Sequence, residues 1–495
     1  MKVLALFYVE FCEWPRMILS ALGERTEHLE VCVIVVRDQT VMGRLRSDNE
    51  LHYSAIEYLP DQEQAWLGSQ STGPAEWPSE AMVERVIRGD RHVGSRHATG
   101  GVIPETPISR ACGTEDAAKG FAQKQLQWLR DIFEREKPDL VLTYLPEDAA
   151  SLAAALLAEE MSVPFLTFAS ARFGHRFMFF SDAAGACPLF GASDNDDEAH
   201  RVLESYRAKP QPPGYSAFNT RVTFSLPPLI DLAALAWWTL IRRPPDVPSY
   251  PYPGARLTWE LRRWSFAHIL YRLRQLWCDA LPSPSQPYVF FPLQVDPEAG
   301  SIVAAPNYTD QIALIRTLAK AVPTGWEIVV KEHIPMLGRR PRGFYRKLRA
   351  CPGVRLVAPD VPLHTLIDGA QLTVVVTGTA GMEAVLAGRK ALFLGPTPLG
   401  TVVPGCHHCH DIGEIAAMIT KAASEPGPSD EAVLAYLRNL LESSFDVLPH
   451  HFFGGLRTVT PEIVSSYRNQ MEWLIDKTGL ANMAKSENRT TGQAS

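Results

Sequence analysis

Residues 374–395 read VVVTGTAGMEAVLAGRKALFLG. A β-branched run enters Thr-Gly-Thr-Ala-Gly, a helix-forming stretch follows to Gly388, and KALFLG (390–395) closes the segment as a second apolar run. Strands buried on both faces read as continuous apolar runs, and parallel strands need a crossover helix between them, so the segment is a βαβ unit of a parallel sheet. Small residues between strand and helix let a backbone approach a ligand, and free N–H groups at the helix start attract anions. Thr377, Gly378, Thr379 and Gly381 are therefore candidate phosphate-binding positions. Glu383, in the first helical turn, suits ribose hydroxyls, or simply the helix dipole. The segment has no GK[ST] and no GxGxxG, so it is neither a P-loop nor a dinucleotide fingerprint.

The same rhythm extends upstream. PYVFFPLQ (287–294), WEIVVKEH (326–333), VRLVAP (354–359) and LTVVVTGT (372–379) read as strands, with helices at Asp310–Ala321 and His364–Gly369 between them. An earlier module repeats the pattern: VLALFYV (3–9), a helix at 14–24, VCVIVV (31–36), an amphipathic helix at 115–136, KPDLVLTYL (137–145), an Ala-rich helix at Ala149–Met161, and VPFLTF (163–168). The helix at 115–136 has Phe121, Leu126, Leu129 and Phe133 as its apolar stripe. Between the modules, residues 192–285 hold KPQPPGY (209–215), an apolar run at 226–241, RRPPDVPSYPYP (242–253) and an Arg-rich helical stretch at 255–277. The expected organisation is an N-terminal α/β domain (1–191), a Pro-rich and helical connector (192–285), a C-terminal α/β domain (286–425), terminal helices (426–480) and a polar tail (481–495).

Composition narrows the function. The 495 residues carry 48 Lys and Arg against 55 Asp and Glu, a formal charge of −7, so no nucleic-acid partner is expected. Eight scattered cysteines fit a reducing cytoplasm, and a chain of this length buries a core without disulfides. The opening MKVLALFYVE meets Glu10 and Glu13 too soon for a signal peptide and reads as a buried strand. LPPLIDLAALAWWTLI (226–241) contains Asp231 and falls short of the roughly 20 apolar residues a span requires. It reads either as a buried or interdomain helix or as an interfacial segment at the inner face of the membrane, with Trp237, Trp238 and the Arg242-Arg243 pair at the headgroups.

Ligands of open parallel sheets bind outside the carboxyl ends of the strands. Two further loops at such ends carry unusual polar residues. In FFPLQVDPEAGS (290–301), Gln294, Asp296 and Glu298 alternate; the two carboxylates suit acid/base work, Glu298 suits hydrogen bonds to a sugar, and a solvated Asp-Pro turn explains the same pattern. In VVKEHIPMLGRRPRGFYRK (329–347), Lys331 and His333 stand at a strand tip with Arg339, Arg340 and Arg342 close behind, a concentration of positive charge that suits a phosphate or carboxylate. GCHHCHD (405–411) holds five side chains able to bind zinc, yet neighbours in sequence cannot all meet one tetrahedral ion, and no second cluster completes a site. Neither a metal nor a cofactor is expected.

At these three loops the chain resembles the capsule polysaccharide biosynthesis family of bacterial glycosyltransferases, which includes the β-Kdo transferases. FFPLQVDPE resembles that family's strand and loop ending in Gln-Pro-Glu, KEHIPMLGRR its Lys-Glu-His-Pro loop, and VTGTAGMEAVLAGRKALFLG its Thr-Gly-Thr helix start. More weakly, VPFLTFASARFGHRFMFFSD (163–182) resembles its strand followed by an Arg-containing loop, here Arg172. Two positions depart from the pattern: Asp296 stands where the family has Gln, and Ile334 is inserted between His333 and Pro335. An anion at 296 would repel an acidic ulosonate donor if it faced one.

The resemblance implies a GT-B-like fold, two Rossmann-like domains with parallel sheets facing a central cleft. It implies a metal-independent glycosyltransferase that moves a sugar, CMP-Kdo or a related donor, to a surface polysaccharide or glycolipid in capsule or lipopolysaccharide biosynthesis. Carried over, His333, Glu298 and Asp296 are candidate catalytic residues; Gln294, Lys331, Arg339, Thr377, Gly378, Thr379, Gly381 and Glu383 would bind the donor; Arg172 would lie on the acceptor side. A nucleotide-sugar epimerase or hydrolase on the same fold, and a non-catalytic polysaccharide-binding or export protein, are the alternatives.

Overall fold

A computed structural model describes residues 1–8, 13–36, 39–67, 69–71, 77–90, 108, 112–146, 148–191, 196–210, 257–399, 403–454, 456 and 459–482. The apolar run at 226–241, the Pro-rich 242–253 and most of the polar tail lie outside them.

Among the described residues, thirteen strands form two sheets. The first contains β1 (Lys2–Phe7), β2 (Glu30–Val35), β3 (His52–Tyr58), β4 (Leu140–Thr143), β5 (Phe165–Ser170), β6 (Arg176–Phe180) and β13 (Phe445–Asp446), in the order β13-β6-β5-β4-β1-β2-β3. Strands β1 to β5 run parallel, while β6 and β13 add an antiparallel edge. The second contains β7 (Tyr288–Pro292), β8 (Glu327–Lys331), β9 (Val354–Val357), β10 (Leu372–Val375), β11 (Ala391–Phe393) and β12 (His407–His408), in the order β12-β11-β10-β7-β8-β9 and parallel throughout. Each sheet places its first strand centrally and winds outward in both directions, the doubly wound order of a Rossmann fold. Strand order reverses between β1 and β4 in the first sheet and between β7 and β10 in the second.

All nine strands read from the apolar runs form. The helix expected at 115–136 spans Glu115–Glu136, begins where the Thr114 side chain accepts the Ala117 N–H, and buries Phe121, Leu126, Leu129 and Phe133. β3, β6, β12 and β13 escape pattern reading for physical reasons. The exposed and half-buried residues of β3 make it a polar edge, and β12 and β13 are two residues long. β6 lies inside the segment read as the Arg172 loop and pairs back onto β5 as a hairpin.

Among the described residues, four apolar clusters cover the faces of the two sheets. One crosses between domains: Ala169, Met178 and Phe180 of the first sheet pack with Tyr206, Val385 and Leu437. Tyr206 lies on the connector helix Asp196–Ala208, whose Arg207 donates to the Leu386 carbonyl at 3.0 Å and to Asp430 at 2.6 Å. The chain then returns to the first domain. Helix Pro461–Thr478 packs on helix Glu13–Gly23, where Tyr467 meets Trp14 at 5.4 Å between ring centroids. The terminal helices thus complete the N-terminal core.

Candidate functional site

The site is built at the reversal point of the second sheet. The loop after β7 lies on one side and the turn after β10 on the other. Their approach depends on small residues. The Thr377 hydroxyl donates to the Gly300 carbonyl at 3.1 Å, and a Cβ at Gly300 would fall 2.6 Å from that hydroxyl. A Cβ at Gly378 would stand 3.3 Å from the Gln294 amide nitrogen, so Gln294 lies directly against the turn. Gly381 is pressed into the core, its missing Cβ only 2.4 Å from the Phe393 ring. Helix Thr379–Leu386 starts at Gly378 with no side chain capping it. The structure therefore brings Gln294, Thr377, Gly378, Thr379 and Gly381 together around an uncapped helix start.

Lys331 ends β8, the neighbour of β7. It is half-buried, and burial lowers its pKa against the pull of Glu383 and Asp360. Glu383 lies beyond the first turn of helix Thr379–Leu386, where it was expected, and is 7% exposed. Burial pushes its pKa up to about 8, with Lys331 opposing the rise. Around neutrality Glu383 is therefore largely a protonated carboxyl that can donate a hydrogen bond, facing a cation across the site. No direct ion pair joins the two among the described residues.

His333 is lowered to about 4, first by burial and further by Lys331 and Arg340, with Glu332 opposing. The neutral imidazole can donate or accept a hydrogen bond but carries no surplus proton near pH 7. Its Nδ1 is buried without a hydrogen-bond partner among the described residues.

Two charged residues point inward instead. Arg340, with a side chain only 4% exposed, donates to Glu332 at 2.9 Å through both Nε and Nη2, to Asp296 at 3.1 Å and to the Gln294 carbonyl at 2.7 Å. Burial disfavours its charge, but Glu332 and Asp296 outweigh that and hold its pKa above the ordinary value. It is thus withdrawn from the cations expected to meet a phosphate. Asp296 is 5% exposed and contacts Gln311 as well as Arg340. Burial raises its pKa and Arg340 opposes that. Its carboxylate is buried against the Arg340 guanidinium rather than exposed. Arg339 is half-buried and Arg342 exposed. Glu298 is exposed at the start of the short helix Ala299–Ile302, its N–H bonded to Ser301 Oγ at 3.2 Å. That helix packs on Glu80–Gly89 of the first domain, so Glu298 stands at the domain boundary.

Arg172 crosses between domains. It sits in the left-handed region at φ 61° in the β5–β6 hairpin and donates to the Thr377 carbonyl at 2.5 Å. This expected acceptor-side residue therefore touches the turn after β10. At the first sheet's reversal point, Tyr8 donates to Asp148 at 2.6 Å, and Asp148 also accepts the Ala150 and Ser151 N–H groups.

Pattern reading missed Gln311 and Glu332. Gln311 accepts the Gln294 N–H at 2.7 Å, and Glu332 accepts the His333 N–H at 2.7 Å and the Tyr345 hydroxyl at 2.9 Å. Glu332 stood within the quoted Lys-Glu-His triplet; Gln311, first residue of a plain amphipathic helix, carried no signal. In the 405–411 segment, His407 approaches Glu425 at 3.6 Å, His408 Nδ1 meets His410 Nε2 at 3.1 Å, and the Cys409 thiol donates to the Asp411 carbonyl at 3.0 Å. Among the described residues, no group of three or more His, Cys, Asp or Glu side chains is placed to hold a metal.

Two doubly wound domains, joined by a shared apolar cluster and meeting where Arg172 reaches the turn after β10, define an α/β chain of GT-B-like architecture. Residues 248–398 match the family described as "Capsule polysaccharide biosynthesis protein". Comparison with curated proteins produced no match. Among solved structures, KpsC from Thermosulfurimonas dismutans, a beta Kdo 2,7 transferase, is 12% identical over 63% of this chain and 88% of its own, with a TM-score of 0.28. UDP-GlcNAc 2-epimerase from Methanocaldococcus jannaschii is 14% identical over 95% of this chain and 100% of its own, at 0.23. A Streptomyces sp. SF2575 glycosyltransferase, SsfS6, is 14% identical over 89% of this chain and 94% of its own, at 0.21. At such scores these structures carry no argument about what this chain does.

Proposed function

We propose that the protein is a glycosyltransferase of surface-polysaccharide biosynthesis, taking its sugar from a nucleotide-activated donor bound at the reversal point of the second sheet. The carrying observation is the approach of Gln294 to the uncapped helix start at Gly378, with Lys331 electrostatically coupled to Glu383 of the same helix, all within the residues that match the family. Glycosyl transfer requires the leaving phosphate to be stabilised as the bond to the sugar breaks. Lys331 and the helix N–H groups supply that charge, and neutral His333 supplies a hydrogen bond. Protonated Glu383 suits a sugar or ribose oxygen, and Glu298, at the domain boundary, is placed toward an incoming acceptor.

An acidic donor such as CMP-Kdo fits this reading. Asp296 is turned onto Arg340, so the repulsion expected from its charge does not reach the opening. The acceptor is read as a surface glycan or glycolipid at the inner face of the membrane. No helix among the described residues is long and apolar enough to cross one. Peripheral contact is instead supported by helix Leu257–Arg272 and the short helix Arg274–Trp277 after it, where Phe266, Ile269, Leu273 and Leu276 are exposed beside exposed Arg272, an apolar face with a cation suited to anionic lipid.

Titration calorimetry of the purified protein with CMP-, UDP- and GDP-sugars, followed by product analysis with and without acceptor glycan, tests the proposal. Binding of one donor class and acceptor-dependent transfer are expected. No binding would sink it, and donor turnover without acceptor would favour the epimerase or hydrolase alternative. Glycan analysis of a strain lacking the protein would name the step.

A further inference from the structure

Beneath the site lies a buried polar cluster with one cation and two carboxylates, and it touches both loops that flank β7 and β8. The Arg340 guanidinium holds the Gln294 carbonyl with Nη2, Asp296 with Nη1, and Glu332 with Nε and Nη2. Glu332 in turn accepts the backbone N–H of His333. Gln311 closes the other side, accepting the Gln294 N–H at 2.7 Å and donating to the Gln294 carbonyl at 3.2 Å. The main chain at Gln294 and the main chain at His333 are thus joined through two side chains, Arg340 and Glu332.

Stability alone is a poor reason for this arrangement. The desolvation cost of a buried ion pair offsets much of its attraction, and an apolar trio of similar volume commonly serves as well or better. The cluster instead supplies geometry. A planar guanidinium directs its donors to several acceptors at fixed angles, which a lysine ammonium cannot reproduce. The Phe344 ring, 4.7 Å from the guanidinium carbon, packs on that plane and limits its rotation.

We propose that Arg340 is a positioning residue that couples the loop after β7 to the loop after β8, so that the Gln294 and His333 segments open and close as one unit. Its functional meaning rests on the donor-site reading above, but the coupling is a property of the unliganded protein. Residues 294–298 and 332–337 should therefore share one opening equilibrium, separate from those of β7 and β8.

Hydrogen–deuterium exchange on the full-length protein without ligand tests this. In the wild type, amides of the two loops are expected to exchange with the same opening free energy; values differing by more than about tenfold in protection would overturn the coupling without any variant. In Arg340→Lys, which keeps the charge and loses the fork, both loops should lose protection together while β7 and β8 keep theirs. The neutral triple variant Arg340→Met/Glu332→Gln/Asp296→Asn, which leaves no buried charge unpaired, should show the same pattern. Wild-type protection in Arg340→Lys, or loosening of one loop alone, would sink the idea. Calorimetry with CMP, UDP and GDP separates positioning from bulk stability. The lysine variant should bind the wild type's nucleotide at least about tenfold more weakly at an unfolding midpoint close to wild type, a shift of about 1.4 kcal/mol. If the wild type binds none of the three, the donor-site reading fails, and exchange alone still decides the coupling.

Discussion

Arg172 Nη1 donates to the carbonyl oxygen of Thr377 at 2.5 Å, joining two residues 205 positions apart in the chain. The acceptor belongs to the turn that presents the helix start, and the donor belongs to the other domain. A change in the angle between domains therefore acts directly on the backbone proposed to hold a phosphate. Arg172→Ala should weaken nucleotide binding about tenfold, the effect of losing one charge-assisted hydrogen bond, with little change in the unfolding midpoint. Calorimetry alongside thermal unfolding reads both; an unchanged Kd would remove Arg172 from the site.

Lys331 sits half-buried at a strand tip without an ion-pair partner among the described residues, and burial lowers its pKa. It should therefore cost the empty protein stability and contribute on binding. Lys331→Met is expected to keep or raise the unfolding midpoint while weakening nucleotide binding about 10- to 100-fold. Parallel thermal shift and calorimetry check this, and a loss of both properties would mark the lysine as structural.

Glu383 has a folded pKa of about 8 against an ordinary 4.5. Between those values the unfolded chain releases the proton and the folded chain keeps it, so this residue makes stability fall as pH rises through the window. Glu383→Gln should remove that fall and unfold at a higher temperature than wild type at pH 8.5. His333 acts in the opposite direction: lowered from 6.5 to about 4, it makes stability fall as pH drops between them, a loss that His333→Gln should reduce. Midpoints measured from pH 4 to 9 would show both slopes, and parallel curves for wild type and variants would refute them.

The two glycines of the turn should separate packing from binding. Gly381→Ala drives a methyl to 2.4 Å from Phe393 and 2.8 Å from Val375, an overpacking that costs about 1–3 kcal/mol. Gly378→Ala meets only the flexible end of Gln294 at 3.3 Å, so it should fold normally yet displace that amide and weaken nucleotide binding. Denaturant unfolding and calorimetry on both variants distinguish the outcomes. Equal stability losses would contradict this division.

Membrane contact should depend on the exposed face near residue 270. Ile269 is 51% exposed and Leu276 79%, so Ile269→Asp and Leu276→Asp should leave the fold intact. Both should reduce co-sedimentation with phosphatidylglycerol vesicles, while neutral vesicles bind weakly throughout. Undiminished binding would place the contact elsewhere.

The βαβ rhythm was legible in single runs such as VLALFYV and LTVVVTGT because a strand buried on both faces must be apolar along its whole length. The loops at Gln294, Lys331 and Thr377 followed from the rule that ligands sit at strand carboxyl ends, together with the small residues of the turn. Those are local properties, carried by neighbours in the chain. The direction in which a charge points is not local. Arg339, Arg340 and Arg342 are alike in sequence, and only the presence of Glu332, Asp296 and Gln294 beneath the loop turns Arg340 inward. The same holds for Arg172, which was legible as a loop cation but whose contact with Thr377 depends on the packing of two domains. Sequence by itself determined the fully buried strands and which loops are rich in chemistry. Tertiary structure decided which side chains face the opening, because burial and pairing are set by partners tens to hundreds of residues away.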